Sequence, residues 1–146
     1  MQVEVRCVLL HEGRLVVYRE HTAQGEHFSL PGGRVAARET VEQAVEREGR
    51  EELGISVVAT RLLYVCQVVS RITLHDLELV FLVEPKDAAS REKLAGVETV
   101  GLHDAVTVLP PLVAEIAADA ESGWEGTPRW LGNVWRSAAE GANGSA

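Results

Sequence analysis

The stretch that most constrains this chain is a predicted helix that lies between two glycine signals. Thr40, with Gln43 three residues later, fits a capping box, and strong helix formers follow from residue 41 to residue 53. Gly54 then supplies a natural C-terminal stop. The sequence therefore predicts one helix of about 13 residues, and the rest of the fold must cover one of its faces.

Glutamates occupy part of the helix face that should be apolar. On a helical wheel, the stripe that should face a sheet is formed by three residues, Val41, Ala44 and Val45. Glu48 and Glu52 continue that stripe one turn further, and Glu51 lies beside it. Carboxylates packed in this way repel one another and lose hydration, which costs several kcal/mol unless a cation neutralises them.

A hard divalent cation meets this requirement best. Mg²⁺, Mn²⁺ and Ca²⁺ prefer oxygen ligands, and no histidine or cysteine joins the cluster in the sequence, as zinc would require. The simpler interpretation is a solvated acidic helix face. We favour the metal because the acidic stripe coincides with the apolar register and follows Pro31, Gly32 and Gly33, a turn that something must approach closely. Arg47 could instead orient one carboxylate as a bidentate partner.

Alternating and β-branched segments around this helix predict a mixed sheet. The strands are expected at residues 2–11, 14–19, 55–70, 72–84 and 97–102. Gly13 supplies the tight turn of a hairpin between the first two of them. Residues 85–96 are polar and predict a loop with a short helical turn, and the two prolines at 110 and 111 open a second helix that continues to about residue 120.

The chain is expected to form one domain over residues 1–136, followed by a disordered tail at 137–146. Three tryptophans, Trp124, Trp130 and Trp135, lie near the C-terminus. They could close over a site, form a homodimer contact or pack back on their own domain.

Composition excludes several classes of function. The net charge is −8, from 22 acidic and 14 basic residues, which disfavours a nucleic-acid surface. No apolar run approaches the roughly 20 residues that cross a membrane, and the N-terminus does not resemble a signal peptide. Cys7 and Cys66 lie in apolar surroundings and are interpreted as buried, reduced thiols of a cytoplasmic protein.

Residues 33–55, GRVAARETVEQAVEREGREELGI, resemble the Nudix box, in which a glycine, a glutamate, Arg-Glu, Glu-Glu and a final glycine recur at fixed spacing. The matching positions are Gly33, Glu39, Arg47, Glu48, Glu51, Glu52, Gly54 and Ile55. Gly49 departs from the pattern, since the family usually has an apolar residue there. Glycine costs roughly 1 kcal/mol of helix propensity and leaves a small packing gap, so we expect a softened or locally adjusted helix.

The resemblance implies an α/β/α sandwich with a mixed sheet and a Mg²⁺-dependent pyrophosphohydrolase, with Mn²⁺ as the alternative ion. The metal ligands that it implies are the Gly32 carbonyl and the carboxylates of Glu48, Glu51 and Glu52. Arg47 and Glu39 would organise the loop-helix-loop, with Gly33 and Glu39 next to the substrate. Glu48 is the first choice for the general base and Glu98 the second, which makes Glu48, Arg47 and Glu98 the expected catalytic residues.

The family resemblance suggests a small-molecule substrate, either a nucleoside triphosphate or a nucleoside diphosphate linked to another moiety. Two alternatives stay open. One is a noncatalytic module that senses a nucleotide, and the other is a hydrolase or isomerase of a non-nucleotide diphosphate. Phe28, Tyr64 and Phe81 could stack a base, but single aromatic residues in strands usually belong to the core.

Overall fold

A five-stranded mixed sheet forms the centre of the computed structural model, which describes residues 1–23, 25–71 and 74–135. The strands are β1 (Gln2–Val8), β2 (Leu10–His11), β3 (Arg14–Val16), β4 (Tyr18–Thr22), β5 (Gly25–Ser29), β6 (Gly32–Arg34), β7 (Val57–Val69), β8 (His75–Pro85), β9 (Thr99–Gly101), β10 (Val108–Leu109) and β11 (Arg129–Asn133). The central sheet has the order β11-β7-β8-β1-β6, and two three-stranded sheets have the orders β10-β5-β4 and β2-β3-β9. The predicted disordered tail at 137–146 lies outside the described residues.

Helices cover both faces of the central sheet. They are α1 (Val41–Glu48), which continues into a π-helical turn (Gly49–Leu53), then α2 (Ala88–Lys93), a 3₁₀ turn (Leu94–Gly96) and α3 (Val113–Glu121). Val5 and Cys7 of β1 belong to the apolar cluster under α1, whereas Val8 belongs to the cluster under α3. Because alternate residues of a strand point to opposite faces, the two helices lie on opposite sides. This confirms the predicted α/β/α arrangement.

The structure corrects the prediction of one regular helix over residues 41–53. The α-helix ends at Glu48, and the next five residues widen into a π-helical turn that begins at Gly49. A Cβ atom at Gly49 would lie 2.7 Å from Val57 Cγ2 and 3.2 Å from the carbonyl oxygen of Ile55. The predicted packing gap is therefore wrong, because Val57 already fills that space, while the predicted local adjustment of the helix is confirmed. Gly54 ends the segment with φ 66°, as predicted.

The predicted hairpin and long strands are confirmed, with two changes near the N-terminus. The predicted strand at residues 14–19 is divided into β3, which belongs to the hairpin, and β4, which pairs with β5 in another sheet. Leu10 pairs with Leu15 across a turn at Gly13, whose φ is 75°. The first predicted strand is divided, since β1 pairs with β6 and β8 in the central sheet and only β2 enters the hairpin. The long strands β7 and β8 form an antiparallel pair along their whole length.

Two helical predictions need correction. The short helical turn predicted within the loop at residues 85–96 is present but begins earlier, as α2, where the Asp87 carboxylate caps the helix by accepting a hydrogen bond from Ser90 N at 2.8 Å. The second predicted helix begins later than its prolines, at Val113. Its residue Ile116 is buried in the core, as its apolar face predicted.

The C-terminal segment packs back on its own domain. Strand β11 runs parallel to β7, and Trp124 packs against the core under α3. Asp119 of α3 ties the layers together, because its Oδ2 accepts hydrogen bonds from Tyr64 Oη at 2.6 Å and from Arg129 Nη2 at 2.7 Å. Trp130 remains 61% exposed on this edge strand.

Both cysteines are free and buried, as predicted. In the described part of the chain, no helix combines the length and apolarity that crossing a lipid bilayer requires.

Candidate metal and substrate site

Two glycines bring the glutamates of the helix onto the backbone of β6. Gly32 N donates a hydrogen bond to Glu52 Oε1 at 2.7 Å. Gly32 has φ 153°, and a Cβ atom there would overlap the carbonyl oxygen of Val5. A Cβ atom at Gly33 would lie 2.5 Å from Glu48 Oε1. The close approach that the two glycines predicted is therefore made by the neighbouring strand and by Glu48.

The three carboxylates differ in exposure in the way that the helical wheel predicted. Glu48 is 8% exposed and faces inward with Ala44 and Val45, whereas the Glu51 side chain is 58% exposed. Glu52 is half-buried, and burial raises the pKa of its carboxyl to about 7, with the charge of Glu48 acting in the same direction. The carboxylates of Glu48 and Glu52 have thus lost part of their hydration, and a bound cation would stabilise their negative charge.

Arg47 holds the loop and the helix together. Its Nε and Nη2 donate to the two carboxylate oxygens of Glu39 at 2.7 and 3.0 Å, a bidentate pair. The hydrogen bonds from Arg47 lower the pKa of Glu39 to about 2. Arg47 Nη1 also donates to Glu48 Oε1 at 2.8 Å and to Glu51 Oε2 at 3.2 Å, and Nη2 donates to the Arg34 carbonyl at 2.9 Å. Arg47 is therefore a positioning residue that aligns two of the three glutamates.

The donor set fits a divalent cation. Glu48, Glu51 and Glu52 offer hard carboxylate oxygens on one turn of chain, and among the described residues the Arg47 guanidinium donates to two of them. Their oxygens are not gathered as closely as those of Glu4, Asp76 and Glu78, the acidic group whose ligand atoms lie within 4.8 Å of one another. Hard oxygen ligands suit Mg²⁺ or Mn²⁺.

A cavity of about 480 Å³ opens beside this cluster. Arg6 and Glu20 line the cavity, and the charges of both residues act on the Glu52 carboxyl. Glu20 Oε2 also lies 2.9 Å from His27 Nε2 on the cavity wall. The helix glutamates do not line the cavity themselves, but Glu52 lies within electrostatic reach of two residues of its wall.

The floor of the cavity holds a second polar cluster that the sequence reasoning missed. Glu4, Asp76 and Glu78 bring one carboxylate oxygen each within 4.8 Å of one another. Arg6 Nε donates to Glu78 Oε1 at 2.8 Å. Asp76 and Glu78 are two residues apart on an apolar strand, and this spacing indicates that both side chains lie on the same face of the sheet. The parallel pairing of Glu4 with Glu78 could not be predicted from the sequence.

Glu98, the second candidate for the general base, makes its hydrogen bonds outside the helix that carries the glutamates. Its Oε1 accepts a hydrogen bond from Arg19 Nε at 2.9 Å, and its backbone carbonyl accepts one from Val17 N at 3.0 Å. Its role as a base stays a prediction.

The three aromatic residues that could stack a base already pack against other parts of the protein. Tyr64 and Phe81 are buried in the two cores. Phe28 packs under the Arg19 guanidinium, whose carbon lies 4.7 Å from the ring centroid.

Comparisons with known proteins agree with this fold. Residues 1–120 match the family model described as the NUDIX domain. The fold resembles the crystal structure of a MutT NUDIX hydrolase from Burkholderia pseudomallei, with 25% identity, a TM-score of 0.62, and coverage of 80% of this chain and 95% of that one. It also resembles an ADP-ribose pyrophosphatase from Streptococcus suis, with 17% identity, a TM-score of 0.56, and coverage of 90% and 97%. No curated protein matches the sequence.

Proposed function

The chain belongs to the NUDIX family and is a Nudix-type pyrophosphatase, and on that premise we propose that it cleaves a phosphoanhydride bond with the help of Mg²⁺ or Mn²⁺. Its proposed substrate is a nucleoside triphosphate or a nucleoside diphosphate linked to another moiety. The observation that carries the proposal is that Glu48 and Glu52 are held against the glycine backbone of β6, beside a cavity.

Glu48, Glu51, Glu52 and the Gly32 carbonyl are the proposed metal ligands. An ion held there would stabilise the charge that develops on the diphosphate oxygens and lower the pKa of the attacking water. Arg47 keeps Glu48 and Glu51 in register on the helix, and its bidentate pair with Glu39 fixes the loop that precedes the helix. Gly33 leaves room for the Glu48 carboxylate, beside the proposed position of the substrate.

Glu48 is our first choice for the residue that accepts a proton from the attacking water. Its carboxylate is 8% exposed and hydrogen-bonded to Arg47, so its position is well defined. Glu98 is the second choice, and its ion pair with Arg19 would have to open or rearrange first.

The size and lining of the cavity favour a nucleotide substrate. A volume of about 480 Å³ lies in the range that accommodates small-molecule ligands. One structural neighbour is named an ADP-ribose pyrophosphatase and another a MutT hydrolase, which supports phosphoanhydride cleavage in a nucleotide without identifying the compound. The two buried free cysteines support a cytoplasmic location. The exposed Trp130 on the edge strand β11 is the place where a homodimer contact is proposed.

A substrate panel tests this proposal. It contains nucleoside triphosphates, nucleotide sugars and dinucleotides, and each is assayed for the release of phosphate or diphosphate with Mg²⁺ and with EDTA. Glu51→Gln and Glu52→Gln should keep the fold and lower kcat/KM by orders of magnitude. Glu84→Gln is the matched control, because Glu84 is exposed on β8 and lies outside the proposed site.

Two alternatives give different results in the same panel. A noncatalytic sensing module would bind metal and nucleotide without turning over any diphosphate. A hydrolase or isomerase of a non-nucleotide diphosphate would leave every nucleotide intact and act on a diphosphate without a base, which mass spectrometry of the products identifies.

A further inference from the structure

The floor of the cavity offers hydrogen-bond acceptors and almost no donors. Three carboxylates, those of Glu4, Asp76 and Glu78, face one guanidinium, that of Arg6. Each nitrogen of Arg6 already donates one hydrogen bond, to Glu78 Oε1 at 2.8 Å, the Leu30 carbonyl at 3.2 Å and Glu4 Oε1 at 3.4 Å. Acceptors therefore outnumber donors at this floor, which favours a ligand that carries N–H or O–H groups.

Asp76 is the residue whose acceptors are least satisfied. It is 6% exposed and lines the cavity wall beside β1. Within residues 1–23, 25–71 and 74–135, no protein N–H group donates to its carboxylate, and its polar neighbour is the carboxyl of Glu4. Burial raises the pKa of Glu4 to about 7, and a hydrogen bond with Asp76 acts in the same direction. The Asp76 carboxylate has acceptor capacity beyond that one hydrogen bond, and a ligand N–H group could use it.

The walls of the same cavity suit a flat, neutral group. Val68, Leu74, Leu109, Pro110 and Trp135 surround the acidic floor with mostly apolar surface. The excess of carboxylates repels phosphate, so the phosphates of a nucleotide would point toward the helix glutamates and their metal. The group that enters the cavity would then be the base.

We propose that Asp76, paired with Glu4, is a specificity-determining residue that accepts a hydrogen bond from the exocyclic amino group of a nucleobase. The inference rests on the proposed function, because it assigns the base end of that substrate. Adenine and cytosine each present an amino donor next to a ring nitrogen acceptor. The carboxylate of Asp76 accepts a hydrogen bond from the amino group, and the protonated Glu4 carboxyl turns its single O–H away from Asp76 and donates it to the ring nitrogen. Hypoxanthine and uracil have a carbonyl oxygen in place of the amino group and would direct a lone pair at Asp76.

Matched nucleotide pairs test the proposal because the members of each pair differ only at the amino position and the adjacent ring nitrogen. ATP is compared with ITP, and CTP with UTP, by kcat/KM with Mg²⁺ and by calorimetric affinity in EDTA. A hydrogen bond to a buried charge predicts that the amino member is favoured roughly 10- to 100-fold in each pair. Equal values for both members, in turnover and in affinity, would overturn the assignment.

Variants at the floor connect the preference to the residue. Asp76→Asn keeps the shape but adds an amide donor, so the preference for the amino member should disappear or invert while the melting temperature stays similar. Glu84→Gln, an exposed change on the same strand, should keep the wild-type preference. A preference that survives in Asp76→Asn would remove Asp76 from the recognition of the base.

The two readouts separate this inference from the proposed function. Binding that distinguishes ATP from ITP without turnover of any nucleotide would contradict the pyrophosphatase reaction and support the role of Asp76. Mg²⁺-dependent turnover with no distinction within either pair would support the reaction and contradict the role of Asp76.

Discussion

Gly33→Ala is the change whose effect on the site can be worked most directly from the structure. The φ of Gly33 lies outside the left-handed region, so alanine can adopt the same backbone. The new Cβ atom would lie 2.5 Å from Glu48 Oε1, whereas an ordinary contact is 3.4 Å or more, so the carboxylate would have to move by about 0.9 Å. A displacement of about 1 Å in a catalytic group can cost around 10²-fold in rate. We therefore expect a loss of about 10²-fold in kcat/KM.

The assay is Mg²⁺-dependent turnover of the best substrate in the panel, combined with thermal unfolding in EDTA. The melting temperature should change little, because the atom that must move is the end of a flexible side chain. Gly96→Ala is the control, since a Cβ atom at Gly96 meets nothing within 4 Å and its φ is not positive. Full activity in Gly33→Ala, with a normal metal requirement, would refute the argument that Glu48 needs this glycine.

Three further predictions concern packing and titration. Gly49→Ala should destabilise the protein by about 1–2 kcal/mol in chemical denaturation, because overpacking against Val57 outweighs the gain in helix propensity. Adding Val57→Ala should recover part of that loss, and strictly additive effects would contradict this explanation. In EDTA, the raised pKa values of Glu4 and Glu52, both about 7, predict that the free energy of unfolding falls as the pH rises from 5 to 8, because the folded state binds more protons there; a flat or rising profile would contradict them. Cys7, which is 1% exposed and has its pKa raised to about 12 by burial, should resist thiol reagents in the folded protein at pH 8, and rapid labelling would contradict that burial.

The sequence was sufficient for the helix and its glutamates because the signals are local. The capping box at Thr40 is present, with Gln43 N donating to Thr40 Oγ1 at 3.1 Å. The burial of Glu48 follows from the helical period alone. A local adjustment of the helix at Gly49 could be predicted, but not its π-helical form or the close contact with Val57, which reaches the helix only through the fold.

The acidic floor of the cavity could not be predicted from the sequence, because it depends on contacts between distant segments. Glu4 and Asp76 are 72 residues apart in sequence, and the parallel register of β1 and β8 brings them together. Strand register between distant segments depends on packing of the whole sheet, which no local pattern encodes. The role of Glu98 also depends on long-range contacts, and its ion pair with Arg19 could not be anticipated from its position in the chain.

Anomalous diffraction from crystals soaked in Mn²⁺ tests the central claim most directly, because it locates the ion without assuming a substrate. We expect a peak bounded by the Gly32 carbonyl and the carboxylates of Glu48 and Glu52, with Glu51 turned toward it. A peak confined to Glu4, Asp76 and Glu78, or none near either cluster at saturating Mn²⁺, would contradict the proposed metal site.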